Sequence, residues 1–280
     1  MPQPNFDALI VEGGAMRGIF AAGVLDAFME QNFNPFKMLI GVSAGATNLI
    51  GYAADMPYRS RDVICSLATT GQFVNPLRFL RGGHFCDVKW LWQQSMQQFP
   101  IDADCLALTS RPFYVVTTNV HSGEANYHRV NNHNIDAVFE ASCALPLLYR
   151  HYPQVSQQAM TDGGIADSIP VKFAYQQGAR HILVVRSRPR EYRKRVAKSP
   201  WLSDKLFAQQ PGLASAVRQR AHNYNAACEF IATPPSDCHI EDISPGSNFK
   251  VTRFTKSSKL LAQGYLDGKN SALDWLKQFQ

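Results

Sequence analysis

Two kinds of apolar spacing organise the chain. Ala8-Leu9-Ile10-Val11 and Met38-Leu39-Ile40-Gly41-Val42 are short continuous runs with no polar position, the pattern of a parallel strand covered on both faces. Each run leads through small residues into helical spacing. After Gly13 and Gly14, the apolar positions Ile19, Ala22, Gly23, Leu25, Ala27, Phe28 and Met29 recur with a helical period, and Asn32 to Pro35 ends that helix. After the second run a helix of small residues extends from Ala44 to Ala54. The pattern then predicts helices over Arg59–Leu67 and Asp87–Gln98, and strands over Phe113–Val120 and Asn126–Val130 around a Ser122-Gly123 turn. A helix near Ile135–Ala144, a strand over Ile182–Val185, a helix around Leu213–Ile231, a strand over His239–Ile243 and a closing helix over Ser258–Phe279 complete the series. Strands alternating with helices predict a three-layer α/β/α fold around a mostly parallel central sheet.

No internal repeat or low-complexity linker divides the 280 residues. The expectation is therefore a single domain over 1–280, with a motif-bearing part of about 6–186 and a C-terminal helical and strand extension of about 187–280. A hydrophobic share of 45% and a charged share of 18% exclude a disordered or fibrous chain. Met38 to Ala54 carries no charge, but its glycines, serine, threonine and asparagine fit a buried strand, turn and helix better than a membrane span. The segment from Met1 to Phe6 has no basic residue, and the first apolar run is too short for a secretory signal, so a cytoplasmic protein is expected. Cys65, Cys86, Cys105, Cys143, Cys228 and Cys238 form no C-x-x-C pair, which predicts free buried thiols in a reducing compartment.

Charge changes the picture at one place. The net charge is +6, yet Arg180 to Lys198 alone holds six arginines, two lysines and one acid, leaving 20 basic and 21 acidic groups elsewhere. General nucleic-acid binding is not expected of so local an excess. Arg193, Lys194 and Arg195 stand beside Trp201, Leu202, Leu206 and Phe207, a mixture that suits peripheral contact with an anionic membrane surface or a lipid headgroup. The alternative is a solvated loop whose Trp201 and Leu206 pack into the core.

Three motifs carry the candidate chemistry. Gly41-Val42-Ser43-Ala44-Gly45 sets a serine between glycines after a buried strand and before a helix, the setting of a nucleophile elbow. A helix starting there aims free N–H groups and the positive end of its dipole at a developing oxyanion. Glu12-Gly13-Gly14-Ala15-Met16-Arg17-Gly18 is a glycine-rich turn that lacks both the dinucleotide and the Walker spacing, so it is read as a source of backbone N–H donors. Those donors face Ser43 if the two strands are neighbours. Asp162-Gly163-Gly164 places a carboxylate at the end of a strand containing Ala159 and Met160. Asp167, before Ser168-Ile169-Pro170, is read as a helix cap. His181, His222 and His239 keep a Ser-Asp-His order formally open, although an elbow on the second strand is early for an α/β-hydrolase. No metal motif and no cofactor motif is present in the sequence.

Taken together and in this order, the motifs resemble the patatin-like phospholipases, serine–aspartate lipid acyl hydrolases. The family pattern is an acid with G-G-G-x-[RK]-G, then G-x-S-x-G, then D-G-[GA]; Ala141-Ser142-Cys143-Ala144-Leu145-Pro146 also resembles the family's segment before the aspartate. The resemblance covers about Ala8 to Val185. It implies hydrolysis of phospholipid or lysophospholipid acyl esters, with Ser43 as nucleophile and Asp162 as its proton acceptor. Gly13, Gly14 and Ala15 would form the oxyanion hole, supported by Gly18, Gly41, Gly45, Gly163 and Gly164. Arg17 either steers a phosphate headgroup or holds a structural ion pair. Acyl transfer from the same acyl-serine and non-catalytic lipid binding are the alternatives. Ala15 departs from the pattern by standing at the third glycine, and it is expected to restrict the turn to negative φ.

Overall fold

The computed structural model describes residues 5–101, 111–196, 199 and 201–279; Cys105 and Lys198, counted above, lie outside the described residues. The strands are β1 (Phe6–Val11), β2 (Phe36–Val42), β3 (Phe113–Asn119), β4 (Ala125–Arg129), β5 (Gln154–Val155), β6 (Gln158–Asp162), β7 (His181–Val185) and β8 (His239–Ile243). The main helices are α1 (Gly18–Glu30), α2 (Ala44–Ala53), α3 (Arg59–Asp62), α4 (Pro76–Leu80), α5 (Val88–Gln98) and α6 (Ile135–Cys143), then α7 (Val171–Gln176), α8 (Trp201–Leu206), α9 (Pro211–Ala232) and α10 (Ser258–Leu276).

The strands form one sheet in the order β5-β6-β3-β2-β1-β7-β8, with β4 also paired to β3. From β3 through β2, β1 and β7 to β8 every pairing is parallel, while β4 and β6 run antiparallel to β3. The continuous apolar runs split between two faces because successive side chains point to opposite sides of the sheet. Leu9, Val11, Leu39, Val115, Leu183 and Val185 pack with Phe20, Val24, Leu49 and Ile50 of α1 and α2. Ala8, Ile10, Ile40, Val42, Ile182 and Val184 pack with α7 and α9 through Val171, Ala174, Tyr224, Ala227 and Ile231. Helices therefore cover both faces, and the expected three layers are present. The uncharged stretch from Met38 is β2 and α2, and no helix among the described residues is long and apolar enough to cross a membrane.

The C-terminal part is built into this body. β8 extends the sheet beside β7, and α10 lies along α1. The two helices meet backbone to backbone. A Cβ on Gly268 would run into the Phe20 carbonyl oxygen, and one on Gly23 into that of Tyr265. Tyr265 Oη donates to Asp26 Oδ2 at 2.8 Å and Lys269 Nζ to Glu30 Oε1 at 2.7 Å. A glycine inside an exposed helix normally gains stability on conversion to alanine. Here Gly268→Ala is expected to lose about 1–3 kcal/mol through overpacking, read as a lower urea midpoint. A raised midpoint would contradict this helix contact.

Two expectations need correction. Cys65 is exposed and Cys143 half-buried, whereas Cys86, Cys228 and Cys238 are buried as expected. Trp201, Leu202 and Leu206 on α8 are exposed while Phe207 is buried, so the reading in which Trp201 and Leu206 fill the core does not hold.

Candidate active site

Strand order reverses at β1: β2 and β3 follow on one side, β7 and β8 on the other. Such a switch point leaves a crevice at the carboxyl ends of the strands. The segments after β1, β2 and β7 all open into it.

Ser43 ends β2. Its backbone has φ 51° and ψ −126°, the conformation of the first central residue of a type II′ turn, where glycine is normally found. The strain is held from several sides. Ser43 N–H donates to Ser142 Oγ at 2.8 Å, and that hydroxyl donates to the Val116 carbonyl at 2.6 Å. The N–H groups of Ala46 and Thr47 close onto the Ser43 carbonyl as α2 begins. A Cβ on Gly41 would strike the Ala46 backbone, and one on Gly45 the Val11 carbonyl oxygen. The flanking glycines thus let the elbow pack against β1 and its own helix.

The glycine-rich turn lies beside the elbow because β1 and β2 are paired, with Val11 opposite Gly41. A Cβ on Gly13 would sit 2.6 Å from the Val42 carbonyl oxygen. The N–H groups of Gly13, Gly14 and Ala15 have no acceptor among the described residues. Ala15 has φ 50°, which corrects the expectation of a negative φ. The left-handed conformation costs a non-glycine residue about 1–2 kcal/mol, and the turn imposes it: Met16 N–H reaches the Arg253 carbonyl and Arg17 N–H the Gly14 carbonyl. Gly18 follows, its carbonyl accepting from Asn48 Nδ2 at 2.7 Å.

Asp162 reaches the elbow through sheet geometry. β4 occupies one edge of β3, so β2 and β6 share the other. Val42 is opposite Val116 and Asp162 is opposite Thr117. The two strands therefore abut end to end, which sets the last residue of β6 against the turn after β2. Asp162 is buried, its Oδ1 accepts from Gly164 N–H at 2.8 Å, and a Cβ on Gly163 would meet the Val116 carbonyl. Burial pushes its carboxyl above the usual range, opposed by the charge of Arg220 and by a hydrogen bond with the Ser43 side chain. Cys143 lies at the same spot, where burial pushes its thiol up to about 12 and disfavours the thiolate that a cysteine nucleophile needs.

Ser43 sits where two pockets meet. One is walled mainly by apolar groups including Met16, Ile64, Phe73, Val88, Leu91, Trp92 and Phe139. The other is polar and holds Glu12, Asp162 and a group of cations. Ala15, Leu145 and Arg253 also line both. None of the eight histidines lines either pocket. His222 is exposed on α9, and His181 and His239 begin β7 and β8 at the far end of the sheet, where they face Glu241 at 3.1 and 3.5 Å.

The basic segment does not form one patch. Arg180 pairs with Asp237, and Arg186 and Arg190 meet Asp242. Arg193 and Arg195 are exposed. Lys194 instead turns into the polar pocket with Arg188. Arg17 also lines it and is buried, but makes no ion pair among the described residues; Nε donates to the Ser187 carbonyl at 3.2 Å and Nη2 to Ser187 Oγ at 3.5 Å. The ion-pair reading of Arg17 is thereby corrected. Asp167 is no cap either: α7 begins four residues later, and Asp167 accepts from Ile169 N–H and Tyr127 Oη. Sequence reasoning missed Ser187, Arg220, Tyr224 and Arg253. Arg220 and Tyr224 are four apart on α9 and so share a face, the one local signal available.

Residues 9–175 match the family model described as patatin-like phospholipase. The chain belongs to the patatin-like phospholipase family. This family acts as hydrolases on lipid esters. Residues 210–280 match a second model, described as a domain of unknown function (DUF6363). Among curated proteins the patatin-like chain is similar to the uncharacterized protein YjjU of Escherichia coli (strain K12), 37% identical over an alignment of 252 residues, which covers 87% of this chain and 69% of YjjU. Among solved structures it is similar to VipD from Legionella pneumophila, with a TM-score of 0.56 and 15% identity, covering 98% of this chain and 67% of VipD. That likeness concerns the fold.

Proposed function

We propose that the protein hydrolyses fatty acyl esters of phospholipids or lysophospholipids through a Ser43–Asp162 dyad. The observation that carries the reading is the position of Ser43 at the junction of an apolar pocket and a polar one containing Asp162 and unpaired backbone donors. An acyl chain in the first and a headgroup in the second would bring the ester carbonyl to the serine.

Asp162 takes the hydroxyl proton as Ser43 Oγ bonds to the carbonyl carbon. The N–H groups of Gly13, Gly14 and Ala15 hold the oxyanion, each such donor being worth about 100- to 1000-fold in rate. The tetrahedral adduct expels the lipid alcohol, which receives the proton from Asp162. Water then attacks the acyl-serine, Asp162 accepts its proton, and the returning Ser43 oxygen takes that proton as the fatty acid leaves. The absence of histidine from the lining of both pockets supports a sequence that uses none.

A fluorophosphonate carrying an alkyl chain tests the nucleophile directly. Mass spectrometry is expected to find one adduct, on the peptide containing Ser43, formed in step with loss of esterase activity. An adduct elsewhere that abolishes activity, or full activity in labelled protein, would overturn the reading.

A further inference from the structure

Five cationic side chains line the polar pocket: Arg17, Arg188, Lys194, Arg220 and Arg253. Glu12 and Asp162 are its carboxylates, and neither lies in ion-pair range of any of the five among the described residues. Glu12 is committed elsewhere, accepting from Ser187 N–H at 2.8 Å. Arg220 donates from Nε to the Gly164 carbonyl at 2.7 Å, and Lys194 lies over the Tyr224 ring at 4.3 Å with Ser168 Oγ at 3.5 Å. Arg17 is the sharpest case: only 4% exposed, it leaves Nη1 without a hydrogen-bond partner among the described residues.

A buried charge left unpaired is expensive, and several held together repel one another. Burial and the neighbouring Arg220 push the Lys194 ammonium down to about 7, and burial with Arg188 holds Arg17 down to about 10. An arrangement of this kind is relieved by an anion. Guanidinium groups match the oxygens of a phosphate in paired hydrogen bonds, and an ammonium adds a point charge. The shared wall of Ala15, Ser43, Leu145 and Arg253 connects this cationic seat to the apolar pocket. A ligand that filled both would be an amphiphile, charged at one end and apolar at the other.

We propose that the cationic pocket seats the phosphate of an anionic acyl lipid whose headgroup carries no ammonium group, and that the chain selects such lipids over zwitterionic ones. The proposal rests on the reading of Ser43 as the nucleophile toward lipid esters. A choline or ethanolamine group would bring a further positive charge among cations that already outnumber the carboxylates.

The test uses octanoyl lysophospholipids, as monomers, that differ only in headgroup: phosphate, phosphoglycerol and phosphocholine. Wild-type kcat/KM is expected to favour the two anionic lipids by about tenfold or more, the scale of one charged hydrogen bond. Arg188→Gln/Lys194→Gln is expected to lower that ratio by about fivefold or more, chiefly by raising KM for the anionic lipids. Equal rates on all three lipids, a preference for phosphocholine, or a ratio unmoved in the double variant would overturn the proposal. Inorganic phosphate that inhibits cleavage of an uncharged p-nitrophenyl ester, without any preference among the lipids, would assign the pocket to free phosphate and overturn it as well. The p-nitrophenyl ester separates this result from failure of the nucleophile reading. Should wild type cleave neither ester nor lipid, calorimetric binding of the same lipids decides the pocket by itself: tighter binding of the anionic pair supports the seat, and equal binding overturns it.

Discussion

Ser43→Ala is expected to lower kcat for ester hydrolysis by at least about 10⁴-fold, the scale seen when a catalytic serine is removed. The fold should barely register the change. The turn is held through the Ser43 backbone, its N–H to Ser142 Oγ and its carbonyl to the N–H groups of Ala46 and Thr47, and the side chain adds only its hydrogen bond with Asp162. The positive φ persists, since alanine and serine are equally disfavoured there. Thermal unfolding of the variant is thus expected within about 2 °C of wild type, a shift of no more than about 1 kcal/mol for a chain of this size. The residual rate would come from the Gly13, Gly14 and Ala15 donors, which no side-chain deletion removes. Near-wild-type turnover in a folded Ser43→Ala protein would exclude the serine mechanism.

The layered fold was legible because its inner strands are buried on both faces. Leu9 and Ile10 point to opposite sides of the sheet yet are both fully buried, so the run contains no polar position and its boundaries stand out. The structure extends β1 and β2 back to Phe6 and Phe36, through positions where Asp7 and Lys37 interrupt the apolar run and pair with each other at 2.9 Å. Short elements were not legible. β5 has two residues, and α4 has five with Leu77 and Leu80 exposed, too little length for a period to show. The junction of β2 with β6 was also hidden. It depends on residues 120 positions apart meeting on one edge of β3, and no local pattern encodes such a pairing.

The candidate site divides in the same way. Ser43, Asp162 and the glycine turn were visible because steric needs confine those backbones to small residues at fixed spacing. The polar pocket was not, because its cations come from four separate parts of the chain: Arg17, Arg188 with Lys194, Arg220, and Arg253. A run of charge in a sequence tells how much charge is present and nothing of its direction. Arg193 and Lys194 are adjacent, yet one remains exposed and the other enters the pocket, where Asn225 holds the Lys194 backbone through both its N–H and its carbonyl.

Asp162→Asn is expected to reduce kcat/KM by about 10²- to 10⁴-fold, the range for loss of a general base. Asparagine keeps an oxygen for the Gly164 N–H but cannot take the serine proton. The pH profile distinguishes this role from mere support. Burial raises the Asp162 pKa above the ordinary carboxylate value, while Arg220, the Ser43 hydrogen bond and the Gly164 N–H pull it back. Activity needs the charged form, so the acidic limb of kcat/KM is expected above the usual carboxylate range. Arg220→Gln removes the largest opposing charge and should move that limb further up. Stability follows the opposite sign. A carboxyl whose folded pKa is raised binds more protons folded than unfolded, so its contribution is fully present below the unfolded value and is lost as pH rises through the folded one. At neutral pH the charged Asp162 therefore destabilises the fold, and Asp162→Asn is expected to match or exceed wild type in urea midpoint while losing activity. An acidic limb at the ordinary carboxylate position, or one that stays put in Arg220→Gln, would remove Asp162 as the base.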